Sequence, residues 1–243
     1  MTGGSATGTT AILLMGYGSP SGPEELPGYL TEVLGGRPPS PEMVDEYRRR
    51  YAVIGGSPQP KVLASLREKL ERQLRESRTP RPVYLGTKHW TPHVAEVIPR
   101  IVADGHTRVI AIPLSPYAST WILEPYRRAL DQGIRNAGGA VEVELRTSWH
   151  LDPHLIGYWS RAIREELAHV QDTSRCVLLS AHSLPRRLGD RGDPYPRLLT
   201  ETATAIASAA GLDRWAFSYQ SAGNTTEPWL GPDLADVMRD WRE

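Results

Sequence analysis

The chain has 243 residues, enough for one large domain or two small ones, and its 28 basic side chains balance 28 acidic ones. A formal net charge of zero lacks the basic excess of a nucleic-acid-binding face, and a single cysteine, Cys176, excludes a disulfide framework and a four-thiolate iron–sulfur cluster. No apolar run nears the roughly 20 residues of a membrane span, and stretch 1–10 has neither a charged n-region nor an h-region, so a loose tail on a cytoplasmic chain with no transmembrane segment is expected.

Ala11-Ile-Leu-Leu-Met15 is apolar throughout and runs into Gly16-Tyr-Gly-Ser-Pro20. That is the pattern of a buried parallel strand opening into a loop. Polar, proline-rich stretches follow. The spacing then predicts a helix over Pro41–Tyr51 and another over about Lys61–Arg75, with Leu63, Leu66, Leu70 and Leu74 on one face. A second strand, Val83–Gly86, ends in Thr87-Lys-His-Trp-Thr-Pro92. Val94, Val97, Ile98 and Ile101 stripe a helix over His93–Asp104. A third strand, Val109–Leu114, ends in Ser115-Pro-Tyr-Ala-Ser-Thr120, and a helix runs from there to about Asn136, stopped by Gly138-Gly139. Val141–Leu145 is a fourth strand. The pattern restarts with a helix over Pro153–His169, a strand over Cys176–Ser180 ending in Ala181-His-Ser-Leu-Pro185, and a helix over Tyr195–Ala210. A strand over Trp215–Tyr219 then ends in Gln220-Ser-Ala-Gly-Asn-Thr225, and a helix follows over Pro232–Trp241. Strands alternating with helices indicate an α/β chain with parallel sheets.

The two halves share a layout. AILLMGYGSP matches CVLLSAHSLP, and YLGTKHWTP matches SYQSAGNTTEP, each running strand, polar loop, proline. We therefore divide the chain into a tail 1–10, a first α/β half 11–150 and a second half 151–243. The first half has a third strand and loop over 109–120 with no counterpart in the second, so the second half is expected to be truncated by a strand. Ligands of parallel sheets bind beyond the carboxyl ends of the strands. The polar groups there are Tyr17; Lys88 and His89; Tyr117, Ser119 and Thr120; His182; and Gln220, Ser221 and Asn224. Two equivalent halves would set Tyr17 and His182 facing each other across a cleft suited to a flat ligand.

On the residues alone, His182 reads equally as a structural histidine and Tyr17 as a half-buried loop aromatic, which are the commoner cases. Gly16-Tyr-Gly18 lacks the third glycine of a dinucleotide fingerprint. Asp193, before Pro194, reads as a helix N-cap. Glu42 and Asp45 read as a solvated face, and Trp121, Trp149, Trp159 and Trp229 as core. His89 and His93 have helical metal-ligand spacing, but Pro92 lies between them.

Leu179-Ser-Ala-His-Ser-Leu-Pro185 followed by Gly192-Asp-Pro-Tyr-Pro196 resembles the ferrochelatase signature. Leu14-Met-Gly-Tyr-Gly-Ser-Pro20, Arg48-Arg-Arg-Tyr51, Ile54-Gly-Gly-Ser57, Gly86-Thr-Lys-His89, Leu114-Ser-Pro-Tyr-Ala-Ser-Thr120, Tyr219-Gln-Ser-Ala-Gly-Asn-Thr225 and Trp229-Leu-Gly-Pro232 follow in the family's order. The Tyr17-Gly-Ser-Pro20 loop and the Gln220-Ser-Ala-Gly-Asn-Thr225 segment are more similar to the soluble coproporphyrin branch than to the membrane-associated protoporphyrin branch. The resemblance implies two flavodoxin-like or Rossmann-like halves around a porphyrin cleft, and insertion of Fe²⁺ into a porphyrin with loss of two pyrrole protons, a lyase-class step of haem biosynthesis. Fe²⁺ is then a substrate, with no tightly bound cofactor and no iron–sulfur cluster, and a monomer is expected.

By the same resemblance, His182 is the catalytic, metal-site histidine and Tyr17 a ligand to the product iron. The substrate contacts expected are Tyr17, Arg37, Arg50, Tyr51, Ser57, Lys88, His89, Ser119, Thr120, Tyr126 and Ser221. The chemistry suits a neutral imidazole, which accepts a proton near pH 7 and ligates a divalent metal. Two departures stand out. Leu34-Gly35 replaces an arginine pair, which leaves Arg37 to contact a propionate. The family's Gly-Phe-x-x-Asp-His-Leu-Glu segment, with the acidic partner of the histidine, is not in this sequence. The alternatives are therefore a porphyrin- or haem-binding protein without chelatase activity, and a cobalt or nickel chelatase of another tetrapyrrole.

Overall fold

A computed structural model describes residues 9–171, 175–223 and 225–241. Most of the expected tail, and Asn224, lie outside the described residues. The chain divides into two compact units, one running to Ser115 and including Leu123–Thr147, the other made of Pro116–Ile122 and the chain from Ser148 on. The loop before Ile122 thus belongs with the second unit. Among the described residues no helix is long and apolar enough to cross a membrane.

In the first unit, strand β1 (Thr9–Gly16) lies between β2 (Val83–Thr87) and β3 (His106–Pro113), and β4 (Glu142–Leu145) adds beyond β3. All pairs are parallel. Neighbours on both edges and helices over the sheet explain the unbroken apolar run of β1, in which Ala11, Leu13 and Met15 have no exposed surface. The strand begins at Thr9, inside the expected tail, because the Thr9 hydroxyl bonds Gly105 O at 3.0 Å and meets His106 Nδ1 at 2.9 Å. Helices α2 (Pro41–Val53), α3 (Gln59–Arg75), α4 (Val94–Ala103) and α5 (Thr120–Asn136) agree with the spacing. Ser40 caps α2 by accepting from Met43 N, with Pro41 in the first turn. Val94, Val97, Ile98 and Ile101 are the buried stripe of α4.

A further helix, α1 (Leu26–Val33), falls where only polar, proline-rich chain was expected. Pro27 and Gly28 read as loop punctuation. Pro27, however, sits in the first turn, where its missing N–H costs nothing. Gly28 lies so close to Trp90 that a Cβ would stand 3.1 Å from the indole. Leu26, Tyr29 and Leu30 are buried beneath.

In the second unit, β5 (Val177–His182) pairs in parallel with β6 (Trp215–Gln220). Around them lie α6 (Pro153–His169), α7 (Arg186–Asp190), α8 (Tyr195–Ala210) and α9 (Leu234–Asp240). The five-residue α7 is too short to leave a periodic signal. Helix α8 buries Leu198, Leu199, Ala203 and Ile206 and stops at left-handed Gly211.

The internal repeat extends to hydrogen bonds, with one change of alignment. Gly16 pairs with Thr87, whose N–H donates to Pro92 O at 2.8 Å. Ala181 pairs with Tyr219, whose N–H donates to Pro232 O at 2.8 Å. Both prolines follow cis peptides, and the residues after them, His93 and Asp233, bridge to Thr87 and Tyr219 and stand at the N-caps of α4 and α9. Pro92 therefore corresponds to Pro232, not to Pro228 as the aligned segments suggested, and the second loop is longer. Tyr17 and His182 occupy the same local position, each following the Gly16 or Ala181 of these pairs, although Tyr17 has left β1 while His182 still pairs with Gln220 as the last residue of β5.

Candidate functional site

Because the chain passes from β1 to β2 on one side and then to β3 on the other, the end of β1 is the switch point where parallel sheets open a crevice. Tyr17 follows directly. Its carbonyl accepts His89 N at 2.9 Å and Lys88 N at 3.2 Å, which locks the β1 and β2 loops together. Its ring lies 4.7 Å from the His89 ring, and Lys88 Nζ stands 5.5 Å from its centroid. Gly18 is required beside it. Its φ is +96°, and a Cβ would come within 2.9 Å of Trp90 N.

Burial raises the Tyr17 hydroxyl pKa, with Tyr47 and Tyr51 adding to the rise. Burial also pushes His89 down to about 4, helped by Lys88 and His93, and lowers Lys88. Tyr126, on α5, is 5% exposed, and burial, then Tyr17, raises its pKa. Tyr17 nevertheless keeps 45% of its surface exposed, so the side chain stays open to solvent while its loop is fixed.

The other expected contacts of this unit lie around α1, α2 and α3. Tyr51 Oη is 3.3 Å from Ser19 Oγ, which joins the end of α2 to the Tyr17 loop. Arg50 is exposed, bonded to Glu46 at 2.8 Å and 5.6 Å from the Tyr47 ring. Ser57 Oγ accepts Gln59 N at 3.2 Å at the start of α3. Arg37 is exposed after α1, its Nε 3.4 Å from Leu34 O. A groove of about 640 Å³ bounded by Pro27, Pro38, Pro41, Val44 and Arg48 includes none of the expected site residues in its walls.

In the second unit His182 ends β5, beside Gln220 on β6. Its carbonyl accepts the Tyr195 hydroxyl at 3.0 Å. The residue is exposed, yet desolvation lowers its imidazole pKa, which favours the neutral form. Ser221 has φ +60° and donates to Gln220 Oε1 at 2.5 Å. Ser119 is fully buried, and its Oγ donates to Asp193 Oδ2 at 3.1 Å. Thr120 N donates to the same oxygen at 2.8 Å.

Asp193 stands one residue before the N-cap position of α8. By the helix bounds Pro194 stands there, but Asp193 Oδ1 makes the capping bond expected of it, accepting Tyr195 N at 3.0 Å, and Oδ2 binds the 119–120 loop. Trp121 and Trp159, expected in the core, are each 47% exposed, and Arg187 stands 5.7 Å from the Trp121 ring. His89 and His93 do not act together. His89 lies against Tyr17 with the two rings tilted, while His93 turns to Glu32 at 2.8 Å and Glu96 at 3.4 Å. Asp45 pairs with Arg48 on an exposed face, as expected. Sequence reasoning missed Tyr29 and Tyr47, which join the tyrosine group around Tyr17, and Tyr195. Tyr195 lies within the Gly192–Pro196 motif, so its position was legible but its bond to the His182 carbonyl was not. Among the described residues no group of three or more His, Cys, Asp or Glu could hold a metal ion.

Residues 9–243 match the family model described as ferrochelatase. The coproporphyrin III ferrochelatase of Halalkalibacterium halodurans is 38% identical over 236 residues, 96% of this chain and 76% of that protein. That of Bacillus subtilis is 35% identical over 235 residues, 94% and 76% of the respective chains. A protein of Herpetosiphon aurantiacus named ferrochelatase is 38% identical over 236 residues, 95% of this chain and 77% of its own.

Proposed function

The chain belongs to the ferrochelatase family, and from that premise we propose that it inserts Fe²⁺ into coproporphyrin III in haem biosynthesis. The observation that carries the chemistry is His182, an exposed imidazole at a strand's carboxyl end whose pKa desolvation holds below the ordinary value. Such an imidazole is neutral at pH 7 and has a lone pair for a pyrrole proton or for the metal. The reaction takes up Fe²⁺, forms four iron–nitrogen bonds and releases two protons. Fe²⁺ is a substrate, and the chain needs no resident cofactor.

Tyr17 ligates the iron of the product. Lys88, His89, Arg37 and Arg50 supply positive or donor groups toward the propionates, and Tyr51, Ser57, Tyr126, Ser119, Thr120 and Ser221 complete the substrate contacts. The enzyme acts as a cytoplasmic monomer. Relatives that carry the name coproporphyrin III ferrochelatase support the choice of substrate.

Anaerobic Fe²⁺ insertion, followed by the Soret shift with coproporphyrin III and protoporphyrin IX in parallel, tests this. Coproporphyrin III is expected to be the better substrate. His182→Ala should cut kcat by roughly 10²- to 10⁴-fold, the usual worth of a proton-transferring group. Insertion by His182→Ala at the wild-type rate would remove the central assignment. Haem binding that depends on Tyr17, with no insertion, would make the protein a haem binder instead.

A further inference from the structure

We infer that Tyr195, anchored by Asp193, is a positioning residue for His182, and that the same aspartate ties the Ser119–Thr120 loop to it. This rests on the proposed role of His182. The main chain at His182 is held from two sides. On one side it pairs in register with Gln220 of β6, and the next residue, Ser183, donates its N–H to Gln220 O at 2.7 Å. On the other, its carbonyl accepts the Tyr195 hydroxyl at 3.0 Å.

Tyr195 is 5% exposed and belongs to an apolar cluster with Leu184, Leu199 and Tyr219. Its ring meets Tyr117 edge-on at 5.7 Å. Phenylalanine would fill that space as well, so the hydroxyl is a group that burial penalises unless it is bonded. Its bond goes to the one backbone carbonyl that carries the imidazole. Burial raises its pKa further, so it remains a donor across the working range.

Asp193 extends the restraint. Its Oδ1 accepts Tyr195 N at 3.0 Å, and its Oδ2 accepts Thr120 N at 2.8 Å and Ser119 Oγ at 3.1 Å. One carboxylate thus sets the start of α8, and through it the Tyr195 hydroxyl, against the loop that carries two proposed substrate contacts. Neither residue needs to touch substrate. Both act through groups that do, and a misplacement of about 1 Å at such groups costs on the order of 10²-fold in rate.

The test is steady-state Fe²⁺ insertion into coproporphyrin III by wild type, Tyr195→Phe and Asp193→Asn, with thermal melts of each. Tyr195→Phe keeps every ring contact, so its Tm should stay near wild type. Its kcat should fall roughly 10- to 100-fold, and its KM for iron should rise while KM for porphyrin does not. Asp193→Asn keeps only one carbonyl oxygen to accept what two oxygens held, so its KM for porphyrin should rise as well. Wild-type kcat and iron KM in Tyr195→Phe would overturn the inference. So would a loss of Tm and kcat with both KM values unmoved, which marks mere support of the fold. Failure of the wild type to insert iron, read before any variant, would instead remove the parent reading and this one with it.

Discussion

At the scale of single residues, the sheet ends select protonation states. His89 and His182 both have pKa values lowered chiefly by desolvation, His89 to about 4. The sign of the stability effect follows. Below the ordinary histidine value of about 6.5, the unfolded chain takes up protons that the folded sites refuse, so stability falls as pH drops. The window for His89 runs from about 6.5 down to about 4. His89→Gln is therefore expected to flatten the decline of urea-unfolding stability across that range. An unchanged slope would mean that His89 is hydrated in the fold. His93 behaves oppositely. Burial alone would lower its pKa, but Glu32 and Glu96 raise it overall, so its contribution is present below the unfolded value and lost as pH rises through the folded one.

At the scale of elements, the helices are held by close approaches that periodicity only half reveals. Gly133 on α5 lies against α4, where a Cβ would stand 2.8 Å from Ile98 Cβ. Both partners belong to packed backbone or a β-branched side chain, so little can give way. Gly133→Ala should destabilise by about 1–3 kcal/mol despite alanine's better helix propensity, as measured by urea midpoint. A stabilised variant would show that α5 can slide. The buried stripe of α4 and the leucine face of α3, apart from exposed Leu66, were legible because apolar residues recur at helical spacing along one segment. Helix α1 was not, because the roles of Pro27 and Gly28 depend on a first turn and on Trp90, which comes from a loop 62 positions later in the sequence. Helix α7 left no signal at its length.

At the scale of the whole molecule, the two units differ in how their sheets are covered. Strand β1 pairs on both edges and is buried from Ala11 to Gly16. Among the described residues β5 and β6 pair only with each other, and β5 is partly or fully exposed along its length. Local opening should therefore cost less in the second unit. Amide hydrogen exchange is expected to protect Ala11–Leu14 up to the global unfolding free energy, and Leu178–Ala181 by less. Equal protection in the two strands would contradict this difference in coverage.

The sequence by itself determined the parallel α/β class, the six strands found among the described residues and the placing of Tyr17 and His182 at equivalent strand ends. These follow from apolar runs and punctuation within short segments, and the ordered motifs pointed to the ferrochelatase family. Only tertiary structure decided that Pro92 answers to Pro232, that Asp193 binds a loop 74 residues away and that the Tyr195 hydroxyl meets the His182 carbonyl. Trp121 and Trp159 turned outward for the same reason. Each depends on which strand pairs with which and on which face a helix lays down. Those choices are made by burial between distant segments, and no local pattern records them.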